Sequence, residues 1–523
     1  MTGTWSFVRA YLRRDRWMLL WWSVGVALLY WSQAVSVDGL YETQADFDRA
    51  AASMESNAGF IAMTGPARAL NTVGGQVTWQ SAAFGAIAAG LMSMFLVGRH
   101  TRAEEESGRD EMLRAAAVGR QSTTAAAFLT ALVANTVLGA AVALSLIAYP
   151  LELADSLALG VGVALCGFFF SGVALLSAQL TSTTRAMYGL TGAVIGLAYA
   201  LRAIGDVGSP ALSWMSPIGW YQAMHPFSGL RWWPALLLVA ASVVAAGAAY
   251  VVFLRRDYGS GVFAARPGPP RAARGLSRPA GLAWRLQRGT VLGWGIGMFL
   301  GGVGYGTLGD DVDSLLGDSD LAKDMFVQSG GALVDAFYST MILTLALIGA
   351  GFAISSALRP HGEEDAGRVE ALLSTALRRR DWLLGHVLVT VAGTVLVLLV
   401  AGLGMGVGYA LVTGDGEAVA DYVLPTLGHL PAVLVLAAVA RLMFGVVPRA
   451  AFLSWLGLVF CLVVMLFAEV FRMPQWLQDV SPFEHLALMP AEDFAWAPFV
   501  AVTAVAVALS VAGQIAFHRR DVG

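Results

Sequence analysis

The stretch LALGVGVALCGFFFSGVALLSAQL, residues 157–180, runs for 24 residues without one Asp, Glu, Lys or Arg. A helix rising 1.5 Å per residue needs about 20 predominantly apolar residues to cross the hydrocarbon core of a bilayer. This run is therefore long enough to span a membrane. Barrel strands alternate apolar and polar residues, and here the apolar character is continuous. In lipid a backbone must satisfy its hydrogen bonds within the segment, which leaves a helix.

Eleven similar runs surround it. Trp17–Val37, Ala82–Val97, Thr123–Ala148, Met187–Ala203 and Pro234–Leu254 complete a first set of six. Val291–Leu308, Phe337–Leu358, Leu383–Val412, Leu430–Val447, Ala450–Val470 and Ala497–Phe517 form a second. Ala82–Val97 is short and is expected to extend back through Trp79. The whole chain is 57% hydrophobic and 13% charged, about half the charged fraction of a soluble domain. The fold class expected is all-α, a polytopic membrane protein of about twelve transmembrane helices.

Charge gives the orientation. Threading twelve spans from a cytoplasmic N-terminus puts 27 of the 33 basic residues inside and 23 of the 36 acidic residues outside, as the positive-inside rule requires. Both termini are then cytoplasmic, in a multi-pass membrane protein. The net charge of −3 conceals two faces of opposite sign and carries no signal for nucleic acid. Cys166 and Cys461 lie mid-span and read as small buried hydrophobes.

The two sets of spans repeat one another. Residues 255–281, rich in Pro, Gly and Arg, cannot bury a core and read as a cytoplasmic tether. Arg13-Arg14-Asp15-Arg16 matches Arg285-Leu286-Gln287-Arg288 at an offset of 272. Glu106-Ser107-Gly108-Arg109-Asp110-Glu111 matches Asp365-Ala366-Gly367-Arg368-Val369-Glu370 at 259. Ser216-Pro217 matches Ser481-Pro482 at 265, and Arg255-Arg256-Asp257 matches Arg519-Arg520-Asp521 at 264. The order predicts two parallel-repeat halves: an interfacial amphipathic helix 1–16, a six-helix half 17–254, the linker 255–281, a second interfacial helix 282–290 and a second half 291–523. The first outer loop, about 38–78, is longer than its counterpart near 309–335.

The loop between the second and third spans of each half carries most of the functional signal. Each copy has acids (Glu105 and Glu106; Glu364 and Asp365), then Gly-Arg (Gly108-Arg109; Gly367-Arg368), then Glu111 or Glu370 with apolar residues at helical spacing. The glycine lets the chain turn, and the segment after it predicts a short helix, apolar on one face and charged on the other, that docks on a soluble partner. A single copy would read as a solvated loop; two copies at equivalent places favour docking.

At these residues the chain resembles the permeases of ATP-binding-cassette (ABC) exporters of the drug and polyketide-antibiotic efflux type. The subgroup with two fused halves is similar to actinobacterial exporters. The resemblance implies a coupling helix in each of these loops and broken hairpin helices before the last span of each half, here at Ser216-Pro217-Ile218-Gly219 and Ser481-Pro482-Phe483-Glu484. It also implies a separate P-loop ATPase, as two copies or one heterodimeric pair, which would bind ATP and Mg. This chain itself has no G-x-x-x-x-G-K-[ST] motif, and its single lysine is Lys323. No cofactor or metal is assigned to it, and it is not expected to be an enzyme. In the first copy Ala115-Ala116-Ala117 stands where the family pattern has a Pro- or Ser-containing turn, which predicts unequal coupling by the two loops.

The expected cargo is a hydrophobic or amphipathic compound, such as an antibiotic, drug or lipid, because no run of ionisable residues crosses the membrane. Phe168 and Phe169, with Asn135 and Gln179, are the candidate cavity residues, although a deep Asn more often joins helices than binds cargo. Membrane lipids are the remaining partner. Two other readings compete. A proton-driven secondary multidrug transporter would need buried carboxylates, for which Glu469 is the one candidate. A polytopic membrane enzyme would use Asp310, Asp311, Asp313, Asp318, Asp320 and Asp324, which read better as acids obeying topology.

Overall fold

A computed structural model describes residues 2–40, 43–55, 58–114, 117–257, 259–263, 270–307, 333–468 and 472–520. No strand occurs among them. Lys323, Glu469 and the aspartates from Asp310 to Asp324 lie outside the described residues. The chain divides into two units, Met1–Gly268 and Pro269–Gly523, and the division falls within the expected linker.

The first unit begins with α1 (Thr4–Asp38), followed by two short helices, α2 (Gln44–Glu55) and α3 (Ala58–Thr64), in the long loop before α4. Next come α4 (Val73–His100), α5 (Arg102–Glu106) and α6 (Arg109–Arg114), then the apolar helices α7 (Ser122–Ala148), α8 (Leu153–Leu180) and α9 (Thr184–Val207). The broken segment α10 (Pro210–Ser213) and α11 (Pro217–Gln222) leads into α12 (Trp233–Arg255). Helix α8, which contains the opening run, is largely buried: its Gly160 packs so closely on α7 that a methyl there would lie 2.3 Å from the Gly139 carbonyl oxygen.

The second unit repeats the order with α13 (Pro279–Gly306), α14 (Leu333–Ala357), α15 (Arg359–Asp365), α16 (Arg368–Leu373), α17 (Arg379–Thr413), α18 (Val423–Gly428) and α19 (Leu430–Val446). A 3-10 segment, Pro448–Ser454, then α20 (Trp455–Phe467), α21 (Gln475–Gln478) and α22 (Trp496–Arg519) complete it. Eleven described helical segments are long and apolar enough to cross a membrane. The protein is an all-α polytopic membrane protein. The expected seventh span is α13, which matches the others in length, but eight glycines between 289 and 306 dilute its apolar character. Two of them, Gly302 and Gly306, serve packing instead. A methyl on Gly306 would lie 2.0 Å from the Met405 carbonyl oxygen, and one on Gly302 2.3 Å from that of Ala401. Helices α13 and α17 thus meet backbone to backbone, the close approach that small residues permit in membranes.

Two boundaries differ from the sequence reading. Residues 1–16 and 282–290 do not form separate interfacial helices: they are the first turns of α1 and α13. No glycine or proline interrupts the chain from Thr4 to Val24 or from Leu282 to Arg288, so nothing breaks the helix. Burial then holds the N-terminal turns upright. Val8 and Tyr11 pack against Ala126 and Ala127 of α7, and Gln287 is buried in α13. Helix α4 also begins earlier than expected, at Val73, where the Thr72 hydroxyl accepts from Gly75 N at 3.1 Å as an N-cap does.

Candidate coupling loops

In the first loop, α4 ends at His100 and the chain turns twice, at Thr101 and at Gly108, whose φ of 71° suits a residue without Cβ. The loop is held by ion pairs. Asp15 of α1, fully enclosed, meets Arg99 at 2.9 Å and also His100, and Tyr11 stacks on the His100 ring. Arg14 meets Glu104 at 2.6 Å. Glu105 sits between two guanidinium groups, Arg102 at 2.8 Å and Arg256 just beyond the end of α12. Arg102 also donates to Ala178 O and Ser260 O, and Arg256 to Gln179 Oε1 and Ser260 O. Through Ser260, and through Val262 N and Phe263 N donating to the Gln179 and Leu180 carbonyls, the start of the linker is tied to the same cluster. Glu106 accepts from the Thr184 hydroxyl. Arg109, Glu111 and Met112 are exposed, Met112 to 70%.

The second loop uses the same turn, with Gly367 at φ 67°, but rests on apolar packing. Val369 is buried, and Leu372 and Leu373 pack against Trp382, Leu383, Phe444 and Phe517. Glu363 accepts from Arg368 at 2.6 Å and forms an ion pair with Arg359 at 2.6 Å. Glu364 meets Arg520 at 2.7 Å, and Arg520 lies over the rings of Phe444 and Phe517. Asp365 is 3.5 Å from His361. Glu370 and Ala371 face outward.

Each loop helix has an apolar and a charged face. In the second loop the apolar face covers the unit's own aromatic cluster, because burial removes it from water, and α16 shows its polar face, with Arg368 and Glu370 exposed. Glu105 and Glu364, expected to face a partner, are likewise spent on internal pairs. These pairs are equivalent. Glu364 stands 259 residues after Glu105, Arg520 stands 264 after Arg256, and Phe517 stands 264 after Phe253. In both units the arginine after the last helix clasps the loop glutamate and lies over that phenylalanine. The repeated Arg-Arg-Asp motif was visible in the sequence, but not its partner. Asp15 lies in a repeated landmark that gave no hint of its partners, and His100 and Arg102 carried no sequence signal beyond lying near a membrane end.

The comparisons agree with this architecture. Residues 276–518 match the family model described as multidrug efflux system permease Rv1217c, C-terminal domain. Over 529 aligned residues, spanning 100% of this chain and 95% of the relative, the chain is 37% identical to multidrug efflux system permease protein Rv1217c of Mycobacterium tuberculosis. The chain belongs to the Rv1217c family of multidrug efflux permeases. It is a transport permease.

Two of this permease's four candidate cavity residues serve helix packing. Asn135 is fully buried, donates to Ser93 Oγ at 2.8 Å and to Ser171 Oγ at 3.3 Å, and so joins α7 to α4 and α8. A side chain on Gly167 would collide with it. Gln179 holds Arg256 at the loop end of α8. Phe168 and Phe169 are half-buried against the core of the first unit.

Proposed function

We propose that this permease is the membrane subunit of an ABC-type exporter, moving hydrophobic or amphipathic compounds such as antibiotics, drugs or lipids out of the cell. ATP is bound and hydrolysed, with Mg, by separate P-loop ATPase subunits, as two copies or a heterodimeric pair. They dock on the loops at α5–α6 and α15–α16, which on this reading are cytoplasmic, with both termini, in a bacterial plasma membrane. The observation that supports this most is the twice-built clasp, Glu105 with Arg256 and Glu364 with Arg520. A loop tied to the last helix of its own half can pass a push from below into that helix. A merely solvated connection needs no such tie.

The test is to express the chain with a tag in its native host and isolate what comes with it. A P-loop ATPase should copurify, and the complex should hydrolyse ATP while the chain alone does not. Robust ATP turnover by the isolated chain would sink the proposal. So would export by the chain alone from vesicles given only a proton gradient, which would favour the secondary-transporter reading.

A further inference from the structure

At the end of the first unit away from the coupling loop, the start of α4, the turn joining α7 to α8 and the strap 225–231 border an open cleft of about 610 Å³. Ligand pockets for small molecules run from about 300 to 1,000 Å³, so the cleft has the volume of one. Val73, Leu151, Phe227 and Leu230 give it apolar walls. The charged side chains in its lining are Glu152 and Asp155, and no basic residue lines it.

The strap is held in an unusual shape. His225 and Phe227 have φ of 52° and 56°, a left-handed conformation that bulky residues rarely adopt. Backbone of this kind persists only where its surroundings over-determine it, and it gathers at functional sites. Here Asp155 does part of the holding: it is buried, and its Oδ1 accepts from Phe227 N at 2.7 Å. The Phe227 ring also packs on Gly74, where a methyl would lie 2.3 Å from it. The strain therefore fixes an aromatic ring in the wall of an acid-lined cleft. Arg68, Arg231 and His225 interact with one another at the strap, and Arg68 and His225 line a separate small pocket with Trp79 and Gln222. Burial, then the charges of Arg68 and Arg231, push His225 down to about 4, so it is neutral near pH 7.

We propose that this cleft binds lipophilic monocations, which its apolar walls solvate, its aromatic ring attracts by cation–π contact and its two carboxylates balance. The inference rests on the cleft and not on the ATP-driven reading, and its test needs no ATPase.

The full chain, purified in detergent, is titrated with tetraphenylphosphonium and with tetraphenylborate, which share a shape and differ in the sign of charge. The phosphonium should bind and the borate should not. Glu152→Gln combined with Asp155→Asn, whose amide oxygen still accepts from Phe227 N, should weaken phosphonium binding roughly tenfold or more. Ala154→Trp, which fills the lining without altering charge, should abolish it, and covers the case in which the double variant does not fold. The proposal is overturned if the borate binds as tightly as the phosphonium. It is equally overturned if folded double-variant protein, or the Ala154→Trp protein, binds phosphonium like the parent.

Discussion

Asp15 and Gln287 occupy equivalent places in the two halves, 272 residues apart, and they hold their loops by different physics. Asp15 sits in a charged foundation with Arg99 and His100, beside the Arg102, Glu105 and Arg256 triad. Gln287 sits in a neutral one: its Oε1 accepts from Ser356 at 2.5 Å and its Nε2 lies 3.4 Å from His386. In the loops themselves, buried Asp110 of the first half corresponds to buried Val369 of the second. What both halves keep is the tie from the loop glutamate to the arginine after the last helix. The repeat has thus preserved a mechanical connection while the material beneath it diverged from ion pairs to an aromatic cluster. Buried ion pairs add little net stability over apolar packing, but breaking one leaves an uncompensated charge. The two loops should therefore fail differently.

The largest expected difference lies in the clasps themselves. In the first, the side chains of Arg102, Glu105 and Arg256 are 1%, 8% and 4% exposed. Glu105→Ala strands two buried guanidinium groups and should cost about 3–5 kcal/mol. In the second, both partners reach solvent more freely, 19% for Arg520 and 14% for Glu364, and Arg520 keeps its stacking on Phe444 and Phe517. Glu364→Ala should cost only about 1 kcal/mol. Melting temperatures of the purified variants decide it, and equal shifts would show that the two clasps are energetically alike.

A second contrast concerns the helix that opens each half. Helix α13 meets α17 through glycine, whereas position 30 of α1, equivalent to Gly302, carries Tyr30, whose hydroxyl donates to Ser81 O. Gly302→Ala should cost about 1–3 kcal/mol by overpacking. Gly297→Ala in the same helix has nothing within 4 Å and should be neutral or up to about 1 kcal/mol stabilising through helix propensity. Comparable losses from both would mean that the α13 glycines are not a packing device.

Much of this architecture is legible in the residues. Continuous apolar runs reveal the helices because lipid leaves the backbone no alternative, and the two loop glycines announce their turns. The interfacial helices were misplaced because amphipathic spacing in residues 1–16 looks the same whether the apolar side faces lipid or α7. The direction of the loop helices is not legible either: Val369, Leu372 and Leu373 mark an apolar face, but only tertiary structure says what covers it. The clasp was half visible. Arg256 and Arg520 stood out as repeated landmarks, while their acids lie 151 and 156 residues away in sequence, beyond any local pattern.

The smallest effect, and the one closest to function, concerns the surface the loops offer a partner. Arg368 is anchored by Glu363 while its side chain stays exposed, and its short helix is seated on the aromatic cluster. A force applied there meets a stiff support. In the first loop Arg109 pairs with none of the described residues, and α6 stands on a buried Asp110 in place of Val369. The weaker turn foreseen at Ala115-Ala116-Ala117 points the same way, although Ala115 and Ala116 lie outside the described residues. Rim charges are each worth about 0.5–1 kcal/mol, or roughly two- to fivefold in an equilibrium. Glu370→Ala or Arg368→Ala should therefore lower substrate-stimulated ATPase activity of the complex about two- to fivefold, and Glu111→Ala or Arg109→Ala should lower it less. Complex assembly, measured on the same preparations, separates lost coupling from lost binding. A larger drop from the first-loop pair would reverse the asymmetry and direct attention to Met112, the exposed apolar side chain that α6 has and α16, with Ala371 there, lacks. In that event Met112→Ala should reproduce the loss and Ala371→Met should leave the second loop's share unchanged or raise it.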